Sequence, residues 1–372
     1  MEHFDVIIIG AGIAGASAGA WLAEDANVLM LEAEQQPGYH TTGRSAATFI
    51  ENYGAPSVRK LNRASAPFLT APPDDFADGP VVGRRGLLYL ATASELGALD
   101  DELAGAKGMQ RLDANGCATL VPVLRGGPAV AGGFEANALD IDVDRLHQSY
   151  LRAFRKAGGQ LRCGARVNAV SRSAGMWRVA WENTTAAAPS LVNAAGAWGD
   201  HIARLAGVKP LGLTPLRRSV AIVEPAMDDV VAADWPLLAG VAGNWYAKPE
   251  GRWLLVSPAD ETPSEPCDAW PEDIDLATGV DRMQQITGIE VRRMVRSWAG
   301  LRTFAPDRQL VNGFDPDVSG FYWLVGQGGY GIQTSPAMGR VCAAQVLAED
   351  ASSASAMAAA DIDALSPARL RG

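Results

Sequence analysis

The chain begins with a short apolar run, Asp5-Val-Ile-Ile-Ile-Gly10, in which β-branched residues follow one another without polar alternation. A strand of this kind is buried on both faces, as parallel strands are. The alanine-rich segment from Ile13 to Glu24 predicts a helix, and Val28-Leu-Met-Leu-Glu32 predicts a second buried strand ending in an acid. Val6 to Ala23 carries no charge and imitates a membrane span, but Gly10, Gly12, Gly15 and Gly19 divide it into strand, turn and helix.

The strand–glycine–helix pattern returns twice. Leu191-Val-Asn-Ala-Ala-Gly-Ala-Trp198 is a buried strand running into a glycine turn, and Phe321-Tyr-Trp-Leu-Val-Gly326 precedes a glycine-rich turn and a helix from about Thr334 to Leu347. Between these lie a loop dense in Gly, Thr and Ser from Gln36 to Ala47, strands at Gly83–Leu90, Leu161–Val170 and Met176–Trp181, and a helix at Asp142–Ala157. The Ala- and Ser-rich tail after Glu349 reads as a loosely held end with at most a short helix. The expected class is α/β: a discontinuous Rossmann-like dinucleotide-binding domain (1–80, 141–214 and 301–372) with an inserted strand-rich α+β substrate domain (81–140 and 215–300).

Composition narrows the function. The 372 residues have a net charge of −10 and no long basic run, a balance that repels nucleic acid and anionic lipid. Four scattered cysteines and four histidines form no CxxC or other ligand spacing, so no metal site is expected. The acid near the N-terminus, where a signal peptide needs basic residues, points to a cytoplasmic protein without a transmembrane segment.

The chemistry starts at Gly10-Ala-Gly12-Ile13-Ala14-Gly15. In this pattern the first glycine makes the tight turn, the second lets backbone approach a pyrophosphate, and the third brings helix against strand. The helix start offers N–H groups and a positive dipole end to that anion. Glu32, followed by Ala33, stands where a carboxylate can accept ribose hydroxyls, and its charge rejects a 2′-phosphate. The early fingerprint and the loop Gly43-Arg44-Ser45-Ala46-Ala47 favour FAD over NAD, with Arg44 suited to the diphosphate.

These residues resemble the D-amino-acid-oxidase-like superfamily of FAD-dependent oxidoreductases, and within it the D-arginine dehydrogenase branch. Further strings that carry the resemblance are Pro37–Ala47, Asp140–Asp144, Val192–Trp198, Arg217-Arg218-Ser219, Trp298–Phe304 and Gln327–Ser335. The resemblance implies a flavin between the two domains whose N5 takes hydride from a substrate Cα. It implies Arg302 as a carboxylate clamp, Tyr53 and Tyr246 as hydroxyl donors to the same carboxylate, and Arg218, or else Arg217, as a second arginine of the site. Val167, Ala195, Gly196, Gly328, Gly329, Tyr330, Gly331, Ile332 and Gln333 match cofactor-contacting positions. His40 lies in the flavin loop, but its surroundings match a branch that holds FAD non-covalently.

Two departures from that branch bear on the substrate. Thr48 stands where a histidine is expected, and Leu87 where a glutamate pairs with a substrate guanidinium. Thr48 cannot act as a base near neutral pH, so no catalytic base is named. A buried cation without an acidic partner is costly, so Leu87 favours a neutral or apolar side chain. Alternation would bring Arg85 and Tyr89 to the same face as Leu87, and an Arg85 that reached the pocket would admit an acidic substrate. The expected reaction is oxidative deamination of a neutral D-amino acid, with electrons passing to an unidentified acceptor. A sarcosine- or glycine-type amine oxidase, a 2-hydroxy acid dehydrogenase and a non-catalytic flavin protein are the alternatives.

Overall fold

In the computed structural model, which describes residues 1–226 and 233–371, the three strand–glycine–helix units share one six-stranded sheet. Its order is Gln160–Arg162, Val28–Leu31, Val6–Ile9, Ser190–Asn193, Phe321–Val325 and Val311–Phe314, parallel except for the last strand. Alternation along these strands divides the core. Val6, Ile8, Val28 and Met30 face the helices Ile13–Leu22, Val143–Lys156 and Gly331–Val346. Ile7, Ile9, Leu29 and Leu31 face Trp177, Val179 and Trp181 of a four-stranded sheet that covers the other side. Both faces being covered is why these strands read as unbroken apolar runs. The arrangement is Rossmann-like.

A nine-stranded sheet forms the second layer, drawing strands from Leu87–Ala91, Gln110–Asp113, Ala131–Glu135 and the segments between Thr214 and Phe304. One face packs Leu88, Leu90, Leu238 and Ala247 against Leu276 and Met283 of the Asp273–Thr287 helix. The other face carries Leu87, Leu237, Ala239 and Tyr246 against Ile50. Its longest pair is Thr214–Pro225 with Val291–Phe304, an antiparallel ribbon whose one end, at Arg302–Phe304, reaches the glycine turn before Gly331.

Three expectations need correction. Gly83–Leu90 is not one strand: Val82–Arg84 and Leu87–Ala91 belong to different sheets, separated where Gly86 takes φ +76°. This break removes the alternation that linked Arg85 to Leu87. Arg85 instead pairs with Asp140 at 2.6 Å and donates to the carbonyls of Ala233 and Trp235. Leu161–Val170 divides likewise into Gln160–Arg162 and Val167–Ser173, with Gly164 at φ +69° between them. The helix expected from Thr334 starts at Gly331.

The tail is docked rather than loose. Helices Ala351–Ser355 and Ala359–Asp363 bury Met357, Ile362 and Leu365 in the helical core. Arg371 then pairs with Asp315, a buried carboxylate that also accepts from Trp323 Nε1 at 2.9 Å. Removing one partner of a buried pair strands the other charge, so Arg371→Ala should lower stability by about 3 kcal/mol. Urea denaturation followed by tryptophan fluorescence measures this; an unchanged midpoint would show that the tail is not anchored there.

Candidate active site

A cavity of about 1050 Å3 runs from the fingerprint helix to the ribbon end, large for a small-molecule site. Gly10, Gly12, Ile13, Ala14, Glu32 and Ala33 line one end. Gly15 packs inside instead: a Cβ there would lie 1.9 Å from the Gly10 carbonyl oxygen, so only glycine lets the helix approach the turn. The helix starts at Gly12 without a side-chain cap of its own, and the Ile13 N–H donates to Thr42 Oγ1 at 3.0 Å. Glu32 accepts from the Ala11 N–H at 2.9 Å and the Glu34 N–H at 3.0 Å, one on each oxygen. Each oxygen retains a lone pair for a ribose hydroxyl.

Three buried polar atoms on the cavity wall have no hydrogen-bond partner among the described residues: His40 Nδ1, Thr303 Oγ1 and Gln327 Nε2. Buried polar groups are almost always paired, so these fit a polar cofactor in the cavity. Sequence reasoning names His40 only as a residue of the flavin loop and does not name Thr303 or Gln327, although each lies inside a string already quoted. Val167, Ala195, Gly196, Ser45 and Ala46 also reach the cavity, whereas Ala47 and Gly43 do not line it. The Gly43 N–H closes the loop onto the Gly38 carbonyl at 2.7 Å.

Arg44 lines the cavity, but its guanidinium is occupied by protein. It donates to the carbonyls of Ala269 and Ala299 at 3.1 and 3.0 Å and pairs with Asp268. Trp298 Nε1 returns a bond to the Arg44 carbonyl at 3.0 Å, and Thr41 Oγ1 donates to the Leu301 carbonyl at 2.7 Å. Arg44 thus fastens the loop to the strand that carries Arg302 while lining the cavity.

Arg302 is the centre of the other end. It is partly buried, no acid pairs with it among the described residues, and its hydrogen-bond partner is Tyr53 Oη at 3.4 Å. Burial opposes its charge, but the hydroxyls of Tyr53, Tyr246 and Tyr330 outweigh that and raise its pKa. Gly329 lies beneath it: a Cβ there would stand 2.7 Å from Arg302 Nη1. Tyr330 packs against Tyr53 with ring centroids 5.0 Å apart and the planes tilted by 56°.

Arg218 faces this centre and Arg217 does not. Alternation along Thr214–Pro225 sends Arg217 to Glu272 and Asp275, while Arg218 lines the cavity, held by the Asp260 carbonyl and Glu261. Burial, and then the Arg302 charge, lower the Arg218 pKa. Tyr246, Gly328, Gly329, Gly331 and Ile332 also line the cavity.

Several expected positions lie outside the cavity. Gln333 is buried away from it, accepting from the Ile50 N–H and donating to Asn62 Oδ1. Thr48 turns its hydroxyl to the Ala46 carbonyl, and Leu87 sits in the apolar cluster with Ile50 and Tyr246. No group of three or more His, Cys, Asp or Glu residues that could hold a metal occurs among the described residues, and no helix there is long and apolar enough to cross a membrane.

A Rossmann-like sheet, an acid at the end of its second strand and a large cavity ending at an arginine without an acidic partner among the described residues fit a flavin-dependent oxidoreductase. The family model described as FAD dependent oxidoreductase (DAO) matches residues 5–345, and the chain belongs to this family. FAD is its cofactor. The chain is 25% identical to FAD-dependent oxidoreductase domain-containing protein 1 of Bos taurus, across 93% of this chain and 82% of that protein. It is also 25% identical to sarcosine oxidase subunit beta of Rhizobium meliloti (strain 1021), across 94% and 85%. Glycine oxidase from Geobacillus kaustophilus shares the fold with a TM-score of 0.81 at 20% identity, over 94% of this chain and 96% of that one.

Glu32→Ala removes the carboxylate from the cavity end and strands the Ala11 and Glu34 N–H groups. FAD affinity should fall by about 100-fold, the equivalent of roughly 3 kcal/mol. Titrating the apoprotein with FAD while following flavin fluorescence checks this, and unchanged affinity would remove Glu32 from the cofactor site.

Proposed function

We propose that this enzyme oxidises the Cα–N bond of a D-amino acid with a neutral or apolar side chain. The imino acid formed hydrolyses to a 2-oxo acid and ammonia. The observation that carries the reading is the partly buried Arg302 guanidinium without an acidic partner among the described residues, because an uncompensated cation at the end of a cavity calls for an anionic ligand. A carboxylate supplies that anion and matches the guanidinium fork with two parallel bonds. Bound FAD, held without a covalent tether, supplies the two-electron acceptor.

The protein's own part is chiefly orientation. Arg302 fixes the substrate carboxylate, and the hydroxyls of Tyr53 and Tyr246 share it. Arg218, already tied to Asp260 and Glu261, adds positive field. The substrate ammonium loses its proton to solvent, since Thr48 offers no base. In this reading the six-stranded sheet and its helices are the cofactor domain, and the nine-stranded sheet is the substrate domain.

A second reading, a glycine- or sarcosine-type amine oxidase, is favoured by one observation. Neither Thr48 nor Leu87 lines the cavity, which suits a substrate with little or no side chain. Relatives and structural neighbours named as sarcosine oxidase and glycine oxidase accord with it.

Anaerobic mixing of the holoenzyme with a panel of D-amino acids, glycine and sarcosine separates the readings by bleaching of the flavin band. A neutral D-amino acid should bleach it fastest; bleaching by glycine or sarcosine alone favours the second reading. Arg302→Ala should raise KM about 100-fold for whichever substrate reacts. An unchanged KM contradicts the clamp.

A further inference from the structure

The antiparallel ribbon sets two arginines side by side. Arg302 stands opposite Leu216 and Arg218 opposite Gly300, so both side chains leave the same face of the ribbon as diagonal neighbours. Both line the cavity. Their partners differ. No acid pairs with Arg302 among the described residues, whereas Arg218 Nη2 donates to Glu261 Oε1 at 3.2 Å. Two guanidinium groups on one wall make a site for two carboxylates. An acid placed on the second of them leaves a site for one.

Glu261 is fixed from two directions. Arg308 Nη2 donates to both of its oxygens, at 3.0 and 2.9 Å, and the Arg308 guanidinium lies 4.0 Å from the centre of the Phe304 ring. Arg308 takes φ +59°, a costly conformation for a residue with a side chain. On the other side, the Asp260 carbonyl accepts from Arg218 Nε at 2.8 Å. The Asp260 carboxylate accepts from the Ser219 N–H and hydroxyl at 2.6 and 2.8 Å. Backbone as well as charge therefore holds Arg218 and Glu261 together. A solvated acid between arginines is commonplace on a surface and adds little stability. What distinguishes Glu261 is that one of its arginines faces the cavity.

We propose that Glu261 is a specificity-determining residue: by answering the Arg218 charge, it limits the site to substrates with one carboxylate and turns away those with two. The proposal rests on the reading of Arg302 as a carboxylate clamp and deepens it, naming monocarboxylate amino acids as the substrate class. A second carboxylate brought beside Arg218 meets a cation already paired and an acid of its own sign, and such juxtaposition is disfavoured. A neutral side chain meets no such opposition. The preference for a neutral substrate then resides at Glu261 and not at Leu87, which does not line the cavity.

The test uses the FAD-loaded enzyme with butyrate and succinate, four-carbon acids with one carboxylate and two, their Kd values read from the perturbed flavin spectrum. The wild type should bind butyrate more tightly. Glu261→Gln should shift the ratio of the two Kd values toward succinate by about 10-fold. Solvent reaches Glu261, whose side chain is 38% exposed, which keeps the shift modest and the fold intact. Glu265→Gln removes an acid of the cavity wall that has no arginine partner among the described residues, and should shift the ratio by less than about 2-fold. Adding Arg218→Gln to Glu261→Gln should cancel the gain, because the two residues act through one contact. A wild type that prefers succinate, an unchanged ratio in Glu261→Gln, an equal shift in Glu265→Gln, or a gain that survives loss of Arg218 overturns the proposal. Should the double variant not retain flavin, the comparison with Glu265→Gln decides. Failure of the wild type to bind either acid would refute the carboxylate site itself, and the proposal with it.

Discussion

An arginine set into the protein at the end of a cavity, with no acid paired to it among the described residues, is the constraint around which this molecule is organised. Arg302 has a ring of hydroxyls from Tyr53, Tyr246 and Tyr330 for company and the Arg218 charge nearby. Hydroxyls can solvate a guanidinium, but they cannot neutralise it. The protein therefore holds an electrostatic deficit at one end of its cavity that an anionic ligand group would offset. Holding a cation in that state requires a rigid surround, and the neighbouring elements provide it. The ribbon Thr214–Pro225 with Val291–Phe304 fixes the backbone, Gly329 makes room for the guanidinium, and Tyr53 caps it.

The same strand links the two ends of the cavity. Arg44 and Thr41 reach from the cofactor loop to the carbonyls of Ala269, Ala299 and Leu301, while Trp298 bonds back to the loop. These bonds place the Glu32 and helix-start end of the cavity in register with Arg302, although the two lie on different sheets. Orientation of this kind is a central part of what a protein contributes when the cofactor carries the electron chemistry.

The local features were legible in the sequence because their physics is local. Four glycines around an apolar run and an acid at the next strand end need only short-range reasoning, and the strand Phe321–Val325 shows its two-sided burial in its composition. Arg302 could be reached through the string around it, and the structure sets it on the cavity with Arg218 and Tyr246. Long-range contacts were not legible. Nothing near Arg44 in sequence reveals that Ala269 and Ala299 take its guanidinium, and Gln333 gives no sign that its partners are Ile50 and Asn62. Gly86 and Gly164 were passed over as strand interiors, yet each turns the chain from one sheet into another. The tail looked loose because its anchor, Asp315, lies 56 residues earlier in sequence.

The central claim is that the charge on Arg302 is answered by the carboxylate of the substrate. The most direct measurement compares flavin reduction by an amino acid that reacts with reduction by the amine that lacks only its carboxylate, under anaerobic stopped flow at equal concentration. The amino acid should reduce the flavin at least about 100-fold faster, since losing the partner of a buried charge costs several kcal/mol. Equal rates for the two would contradict it.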